Sequence, residues 1–339
     1  MSIVDKLRNF IKKQSLNSTF FRTIIDTFKT LMLLPNYTYR RQLETEEDNQ
    51  IIVMIDGKMA HGGMSDRLCG IISAYKYAKK SNKQFKIFWC YPYDLNLFLC
   101  PNLYDWSITN NPSYIFPYSR PKYISQFGPD KGKSDAYFEK KIKNTSRILH
   151  LYTNAHYFSR EEFGILFHEL FKPSLRLNIA VNEHIKSYGC YYSITFRFQQ
   201  LLGDFKEDGF QTLSTESKSQ LIQECLDCVE YVHTLNPGVK ILVTSDSVTF
   251  LNIAKSTFDY ILTNSGNIVH MDFVGKKDEI DINVHMKSYV DLYTLAHAKK
   301  IYLANFTPLY SSTFPLMASM IYNNEYYSII KNVDGFDIV

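Results

Sequence analysis

The stretch IIVMIDG at residues 51–57 decides the fold. Five consecutive apolar residues followed by Asp56 and Gly57 predict a buried β-strand that ends in a turn. A helical run over residues 67–79 comes after the glycine-containing loop. The order strand, glycine loop, helix is typical of a parallel α/β sheet, whose ligands bind at the carboxyl ends of the strands.

The same alternation continues along the chain. Further strands are predicted at residues 85–89 and 147–152, a helix at 163–171, and a loop over the Pro- and Tyr-rich stretch 110–133. The second half repeats the pattern, with strands at residues 191–198, 239–243, 260–262 and 301–304 and helices at 217–235, 248–256, 289–299 and 313–321. These elements predict two Rossmann-like, doubly wound α/β domains, residues 46–178 and 179–339, facing one another across a cleft.

Residues 1–45 are predicted to form an amphipathic helical segment. Its first part combines apolar residues at helical spacing with basic ones, namely Ile3, Val4, Leu7, Phe10 and Ile11 with Lys6, Arg8, Lys12 and Lys13. Such a segment lies on an anionic membrane surface or packs on the body of the protein. No signal-peptide core and no apolar stretch of about 18 residues is found, so we expect a cytoplasmic protein, with peripheral contact at the inner face of the membrane through residues 3–33.

The composition excludes several classes of protein. Hydrophobic residues make up 45% of the chain and charged residues 21%, which is typical of a folded globular protein. The net charge is +4 and no basic run is interleaved with aromatics, so no nucleic-acid binding is expected. Cys225 and Cys228 form one CxxC motif without a second pair, so we expect neither a metal site nor a cofactor.

Four polar loops follow predicted strands. In the first, Gly62 and Gly63 allow backbone amides to approach an anion at a helix N-terminus, with His61, Asp66 and Arg67 beside them. The alternative is a tight turn in which Asp66 caps the helix.

The next two loops each carry a charged candidate. Arg197 ends a predicted buried strand, where it either binds a diphosphate or pairs with a structural carboxylate such as Asp204. Asp246, followed by Ser247, accepts hydrogen bonds from a guanine or a ribose, or else caps the helix that begins at Val248.

The fourth loop places hydroxyl groups at another helix N-terminus, through Ser311, Ser312 and Thr313, with Phe314 next to them. Such a loop binds phosphate or caps the helix. Together the four strand-end loops describe one site for a nucleoside diphosphate.

Six segments carry a resemblance to a known family. They are HGGMSDRLCGIISAYKYAKK from His61, FHELFKPS from Phe167, ITFRFQQLLGDF from Ile194, VTSDS from Val243, MKSYVDLYTLAHAKKIYLA from Met286 and SSTFPLMASM from Ser311. Over residues 51–321 the chain resembles the fucosyltransferase-like superfamily, which includes the Nod-factor, N-glycan core and protein O-fucosyltransferases.

The resemblance implies a GT-B fold and an inverting, metal-independent transfer of fucose from GDP-fucose to a glycan hydroxyl. It makes Arg197 the donor-binding arginine, Asp246 the guanine contact, and the loop at Ser311 the contact to the donor phosphates. Thr195 stands where the family usually has His. The contact to the base, and with it the identity of the donor, therefore stays open.

The partners expected are a nucleotide sugar and a glycan acceptor of a surface polysaccharide or lipopolysaccharide. Arg197 and Asp204 are the candidate catalytic residues, and the general base is sought among Asp204, His61 and Asp66. His270 is expected to be structural. Two alternatives are the same fold with another nucleotide sugar, and a relative that binds a glycan or nucleotide without turnover.

Overall fold

The computed structural model describes residues 18–40, 49–126, 131–143, 148–204, 211–266 and 282–339. The chain divides into two compact units between Lys172 and Pro173. The predicted division between residues 178 and 179 falls inside the helix Leu175–Tyr188, which belongs to the second unit. That helix begins at Leu175, where the side chain of Ser174 caps it by accepting a hydrogen bond from the amide of Leu177.

The first unit contains four α-helices and eight strands among its described residues. They are α1 (Thr19–Leu33), β1 (Thr38–Tyr39), β2 (Gln50–Ile55), α2 (Met64–Lys80), β3 (Gln84–Trp89), β4 (Leu99–Pro101), β5 (Ile115–Phe116), β6 (Ser119–Ile124), α3 (Lys131–Ile142), β7 (Ile148–Thr153), α4 (Arg160–Leu170) and β8 (Phe171–Pro173). Four strands form a parallel sheet in the order β3-β2-β7-β6. Strands β1 and β5 form one small pair, and β4 and β8 another.

The central strand β2 explains why this unit folds as it does. All six of its residues are buried, as expected for a strand covered on both faces of a parallel sheet. Helix α2 approaches the sheet so closely at Gly70 that a Cβ atom there would lie 2.0 Å from the carbonyl oxygen of Thr153. The glycine is therefore needed for the close contact between α2 and the end of β7.

The prediction of a loop over residues 110–133 was wrong, because this stretch contains β5, β6 and the beginning of α3. Strand β6 lies at the edge of the sheet, where Pro121 is tolerated and only one face needs to be apolar. Its sequence SRPKYI accordingly lacks the continuous apolar run that marks β2.

The second unit repeats the architecture with a larger sheet. Its described elements are α5 (Leu175–Tyr188), β9 (Tyr191–Phe196), α6 (Thr215–Leu235), β10 (Lys240–Ser245), α7 (Val248–Thr257), β11 (Ile261–Leu262), α8 (Ile282–His297), β12 (Lys300–Ala304), α9 (Phe314–Ile321), β13 (Glu325–Asn332) and β14 (Gly335–Ile338). The strand order is β11-β10-β9-β12-β13-β14, and all neighbours are parallel except β13 and β14.

The prediction of two α/β domains built on parallel sheets is confirmed. The closing hairpin β13–β14 was not predicted. Cys225 and Cys228 lie buried in α6, within the apolar core of the second unit. No helix among the described residues is long and apolar enough to cross a membrane.

Candidate functional site

Three neighbouring strands of the second unit bring the predicted donor-binding residues together. Strand β9 lies between β10 and β12 and is parallel to both. Arg197 follows β9, Asp246 follows β10, and the loop containing Ser311 follows β12. Because the carboxyl ends of parallel strands share one edge of a sheet, these residues lie side by side at that edge.

Arg197 is held at this edge by Asp246. Its Nη1 donates to Oδ2 of Asp246 over 2.6 Å, and the same carboxylate accepts from the backbone amides of Phe198, at 2.8 Å, and Gln199, at 2.7 Å. The Asp246 side chain is only 4% exposed, whereas that of Arg197 is 19% exposed. Burial raises the pKa of Asp246, and the charge of Arg197 and the two amides oppose that rise.

These contacts correct the sequence interpretation. The structural carboxylate that pairs with Arg197 is Asp246, whereas Asp204 was given as the example of such a partner. Asp246 does not cap α7 either, since Ser247 does so by accepting from the amide of Phe250 over 3.0 Å. The carboxylate of Asp246 instead fixes the backbone that leaves β9.

Asp204 lies close by but in a different environment. Its exposed carboxylate accepts hydrogen bonds from the hydroxyls of Ser247 and Thr249 at the beginning of α7. The two acidic residues of this edge therefore differ: Asp246 is buried and ion-paired, and Asp204 is open to solvent.

The loop after β12 is tied directly to Arg197. The amide of Tyr310 donates to the carbonyl oxygen of Arg197 over 2.9 Å. Ser312 accepts from the amide of Phe314 at 3.3 Å, whereas the side chain of Thr313, at the N-cap position of α9, makes no capping hydrogen bond. An exposed hydroxyl and the N-terminal end of α9 thus lie in the loop that adjoins the arginine.

Thr195 is turned away from solvent. Its hydroxyl forms a 2.8 Å hydrogen bond with that of Thr244, the residue opposite it on β10, and the side chain is buried. At the position where the family that the chain resembles usually has His, this chain therefore has a pair of hydroxyls that join two strands.

The glycine loop of the first unit is shaped by its own charged residues. Gly62 has a φ of +76°, and a Cβ there would lie 2.5 Å from Oδ2 of Asp66. Asp66 accepts from the amide of Gly63 over 3.2 Å, completing the cap of α2. Arg67 is buried, and its Nε and Nη1 donate to the carbonyl oxygens of Gly62 and Tyr91 at 2.9 and 2.8 Å. Asp66 thus caps the helix, as the tight-turn alternative predicted, and the structural contacts of Arg67 were not predicted.

A buried polar cluster around Asp56 was missed by sequence reasoning. Asp56 follows β2, and its Oδ2 accepts from the hydroxyls of Tyr114, at 2.7 Å, and Tyr152, at 2.8 Å. Nζ of Lys58 lies 3.6 Å from the same oxygen, and Nε2 of His61 lies 3.8 Å from Oδ1. Burial raises the pKa of both tyrosines, which keeps them protonated as donors.

His61 belongs to this cluster. Its Nε2 accepts from the amide of Gly57 over 3.2 Å, and its ring stacks on Tyr152. Burial, and then the charge of Arg67, lowers the pKa of His61 to about 3, so the imidazole is neutral at pH 7. The only signal in the sequence was Asp56 itself, a carboxylate directly after a continuous apolar strand.

A second unpredicted network joins the end of β11 to α8. Asp291 accepts from Asn264 Nδ2, at 2.7 Å, and from Lys287 Nζ, at 2.6 Å, while Tyr188 donates to Asn264 Oδ1 at 2.8 Å. Lys287 and Asp291 are buried and lie one helical turn apart. The four-residue spacing of Lys287 and Asp291 was the signal in the sequence for this ion pair, because a buried Lys requires a partner. His270 lies outside the described residues.

No protein-family model and no curated protein matches the chain. Solved structures do match. Fucosyltransferase NodZ from Bradyrhizobium has a TM-score of 0.56 at 15% identity over 87% of this chain and 99% of that one. NodZ alpha-1,6-fucosyltransferase soaked with GDP-fucose matches with a TM-score of 0.54 at 14% identity, over 86% of this chain and 98% of that one. A mutant of Arabidopsis thaliana FUT1 in complex with GDP matches with a TM-score of 0.51 at 13% identity, over 99% of this chain and 82% of that one. The chain has the fucosyltransferase-like fold.

Because the NodZ match covers 87% of the chain, the fucosyltransferase-like fold includes residues of both units. The fold inferred from the six resembling segments is thereby confirmed. Within it, the second unit gathers Arg197, Asp204, Asp246, Ser247 and Ser312 at one sheet edge. The residues predicted around Gly62 lie in the first unit, after β2.

Proposed function

We propose that the chain is an inverting, metal-independent glycosyltransferase that moves fucose from GDP-fucose to a hydroxyl of a glycan. One observation carries the proposal: Asp246 holds Arg197 at the carboxyl edge of the second sheet, beside the loop of Ser311 and Thr313. NodZ, which shares the fold, has been crystallised with GDP and with GDP-fucose.

Arg197 has the chemistry that the departing nucleoside diphosphate requires. A guanidinium is permanently charged and hydrogen-bonds phosphate oxygens in a fixed fork. Its partner Asp246 serves as a positioning residue, since it fixes both the guanidinium and the following backbone. The N-terminal amides of α9 add a second source of positive potential near the same arginine. Together these groups would stabilise the charge that develops on the diphosphate, which is the role a metal ion has in other transferases.

For the acceptor proton we propose Asp204 as the general base. It is exposed and adjoins Ser247 next to the Arg197–Asp246 pair, whereas Asp66 is engaged in capping α2. The acceptor that we propose is a surface polysaccharide or lipopolysaccharide at the cytoplasmic face of a membrane, a choice that the basic, amphipathic N-terminal segment favours. The proposed reaction uses no cofactor, and GDP-fucose is its donor substrate.

Calorimetric titration with GDP, UDP and ADP in the presence of a chelator tests the donor assignment. We expect GDP to bind best, and Arg197→Lys to weaken it by about tenfold or more, because Lys retains a charge for Asp246 but lacks the fork. Arg176→Lys is the matched control, since Arg176 is an exposed arginine of the same unit. It should leave the affinity unchanged.

The alternatives correspond to separate outcomes. A preference for UDP or ADP would refute GDP-fucose as the donor. Binding of GDP without transfer of fucose to any glycan acceptor would refute the proposed transferase activity and favour a non-catalytic relative. Equal GDP affinity for the parent chain and Arg197→Lys would refute the role assigned to the arginine.

A further inference from the structure

Helix α1 is amphipathic in the reverse of the usual sense. Two of its three charged residues, Arg22 and Asp26, are buried against the first unit, and the third, Lys29, is half-buried at the ring of Tyr123. Its large apolar side chains are 36% to 68% exposed and form what we call the α1 apolar face, Phe20, Phe21, Ile24, Phe28, Leu31 and Met32. A helix on the surface of a globular protein normally turns these two sets the other way.

A polar network fixes this orientation. Arg22 Nη1 donates to the hydroxyl of Ser125 over 2.6 Å, and that hydroxyl donates to Asp26 Oδ1, also over 2.6 Å. Tyr137 on α3 donates to Asp26 Oδ2 at 2.8 Å. The Thr30 hydroxyl, one turn further on, accepts from the amide of Tyr123 on β6 at 3.0 Å. Rotating α1 to bury its apolar side chains would break these bonds and strip buried charges of their partners, which is costly.

The α1 apolar face is continuous and carries no charge. Residues 20, 24, 28 and 31 follow helical spacing, so their side chains form one stripe. The only acidic residue of the helix is Asp26, which faces inward. Exposed apolar surface of this extent marks a site of contact with a protein or a membrane.

The charges around the helix favour an anionic partner. Lys122 lies on β6, the strand against which α1 packs, and Lys141 on α3 is close enough to lower the pKa of Lys122, although burial lowers it more. The 17 residues that precede Ser18 contain Lys6, Arg8, Lys12 and Lys13 against Asp5 alone. A second copy of the chain would bring the same positive charges together, whereas an anionic bilayer attracts them while it accepts the apolar side chains.

We propose that the α1 apolar face is a docking surface for an anionic lipid bilayer, with the helix lying in the plane of the headgroups. Burial of apolar area and attraction to anionic lipid then act together, as in interfacial helices. Docking would hold the first unit beside acceptors that are themselves attached to lipid. That last step rests on the proposed function, and the docking itself does not.

Vesicle flotation of the full chain tests the docking. The probes are vesicles of phosphatidylcholine alone and of equal parts phosphatidylcholine and phosphatidylglycerol. The double variant Phe20→Ser/Phe28→Ser removes two aromatic side chains from the α1 apolar face. Leu103→Ser/Ile165→Ser, which removes two apolar side chains of similar exposure from the same unit, is the matched control.

We expect the parent chain to float with the mixed vesicles and much less with phosphatidylcholine alone. The affinity of the Phe20/Phe28 variant for vesicles should be lower by about tenfold or more, because each phenyl ring contributes apolar area that is buried in the bilayer. The control should float like the parent. Unchanged GDP affinity and circular dichroism in both variants would show that folding and the donor site are intact.

Three results would overturn the proposal: no flotation of the parent with either vesicle, equal flotation of the Phe20/Phe28 variant and the parent, or equal loss in the control. A parent that sediments as a dimer, with the dimer lost in the Phe20/Phe28 variant, would assign the face to a second copy instead. Failure of GDP binding would refute the donor assignment and leave the flotation result standing.

Discussion

Replacing Asp246 by Ala is expected to destabilise the second unit by about 3 kcal/mol. The substitution removes the partner of Arg197 and the acceptor for the amides of Phe198 and Gln199. Breaking a buried ion pair by removing one partner costs about 3–5 kcal/mol. The lower end applies because Arg197 is 19% exposed and water reaches the charge that is left behind. These losses overlap and do not add.

Asp204→Ala is the comparison that shows how much the burial of the carboxylate matters. Asp204 also accepts hydrogen bonds from neighbouring side chains, those of Ser247 and Thr249, but its carboxylate is exposed. Water replaces an exposed acceptor readily, so the expected loss is about 1 kcal/mol or less. The two carboxylates lie at the same sheet edge, and the difference between the variants therefore measures what the buried Asp246 carboxylate contributes through its ion pair and its two amide contacts together.

Urea denaturation followed by circular dichroism gives the free energies of unfolding. Hydrogen exchange measured by mass spectrometry locates the effect: the segment after β9 should lose protection in Asp246→Ala and keep it in Asp204→Ala. Equal stabilities of the two variants would refute the reasoning. So would unchanged exchange at Phe198 and Gln199 in Asp246→Ala, because the carboxylate would then not hold this backbone.

Two further predictions concern the first unit and are checked by urea denaturation with tryptophan fluorescence, since both tryptophans lie in this unit. Gly70→Ala should cost about 1–3 kcal/mol despite the better helix propensity of Ala, because its Cβ would lie 2.0 Å from the Thr153 carbonyl oxygen. Gly63→Ala, whose Cβ would meet no atom within 4 Å, is the control and should cost less, about 1 kcal/mol or below, which is the loss expected when Ala replaces Gly at the N-cap of α2. Burial lowers the pKa of His150 from 6.5 to about 3, so the unfolded state binds more protons between these values and stability falls with falling pH. His150→Asn should make that fall shallower by up to about 1.4 kcal/mol per pH unit, and an unchanged slope would contradict the assignment.

The alternation of strands and helices was predictable because the decisive strands are continuous apolar runs. Strand β2 is buried along its whole length, and its sequence contains no polar residue after Gln50. Strand β6 was missed because an edge strand is apolar on one face only and tolerates Pro121. Apolar runs therefore identify the centre of a sheet better than its edges.

The partners within the site were not predictable in the same way. Arg197 and Asp246 are 49 positions apart, and they meet because Phe196 and Ser245 lie opposite one another at the ends of β9 and β10. The sequence interpretation gave Asp204 as its example of a partner, and Asp204 is nearer along the chain. Tyr114 and Tyr152 meet Asp56 for a similar reason, since loops and strand ends from separate parts of the chain converge there. Periodicity indicates which residues are buried, but strand register decides which of them pair.

The pairing of Asp246 also bears on how a guanine base would be read. An ionised carboxylate offers about four acceptor positions, and three hydrogen bonds to Asp246 come from Arg197, Phe198 and Gln199. Guanine presents two adjacent N–H donors, which a carboxylate recognises best with both oxygens facing the base. Asp246 would have to release Arg197 or an amide to accept both, and that would loosen the arginine that we propose binds the diphosphate. For the donor that we propose, GDP-fucose, we therefore expect Asp246 to position Arg197 and other groups to contact the base.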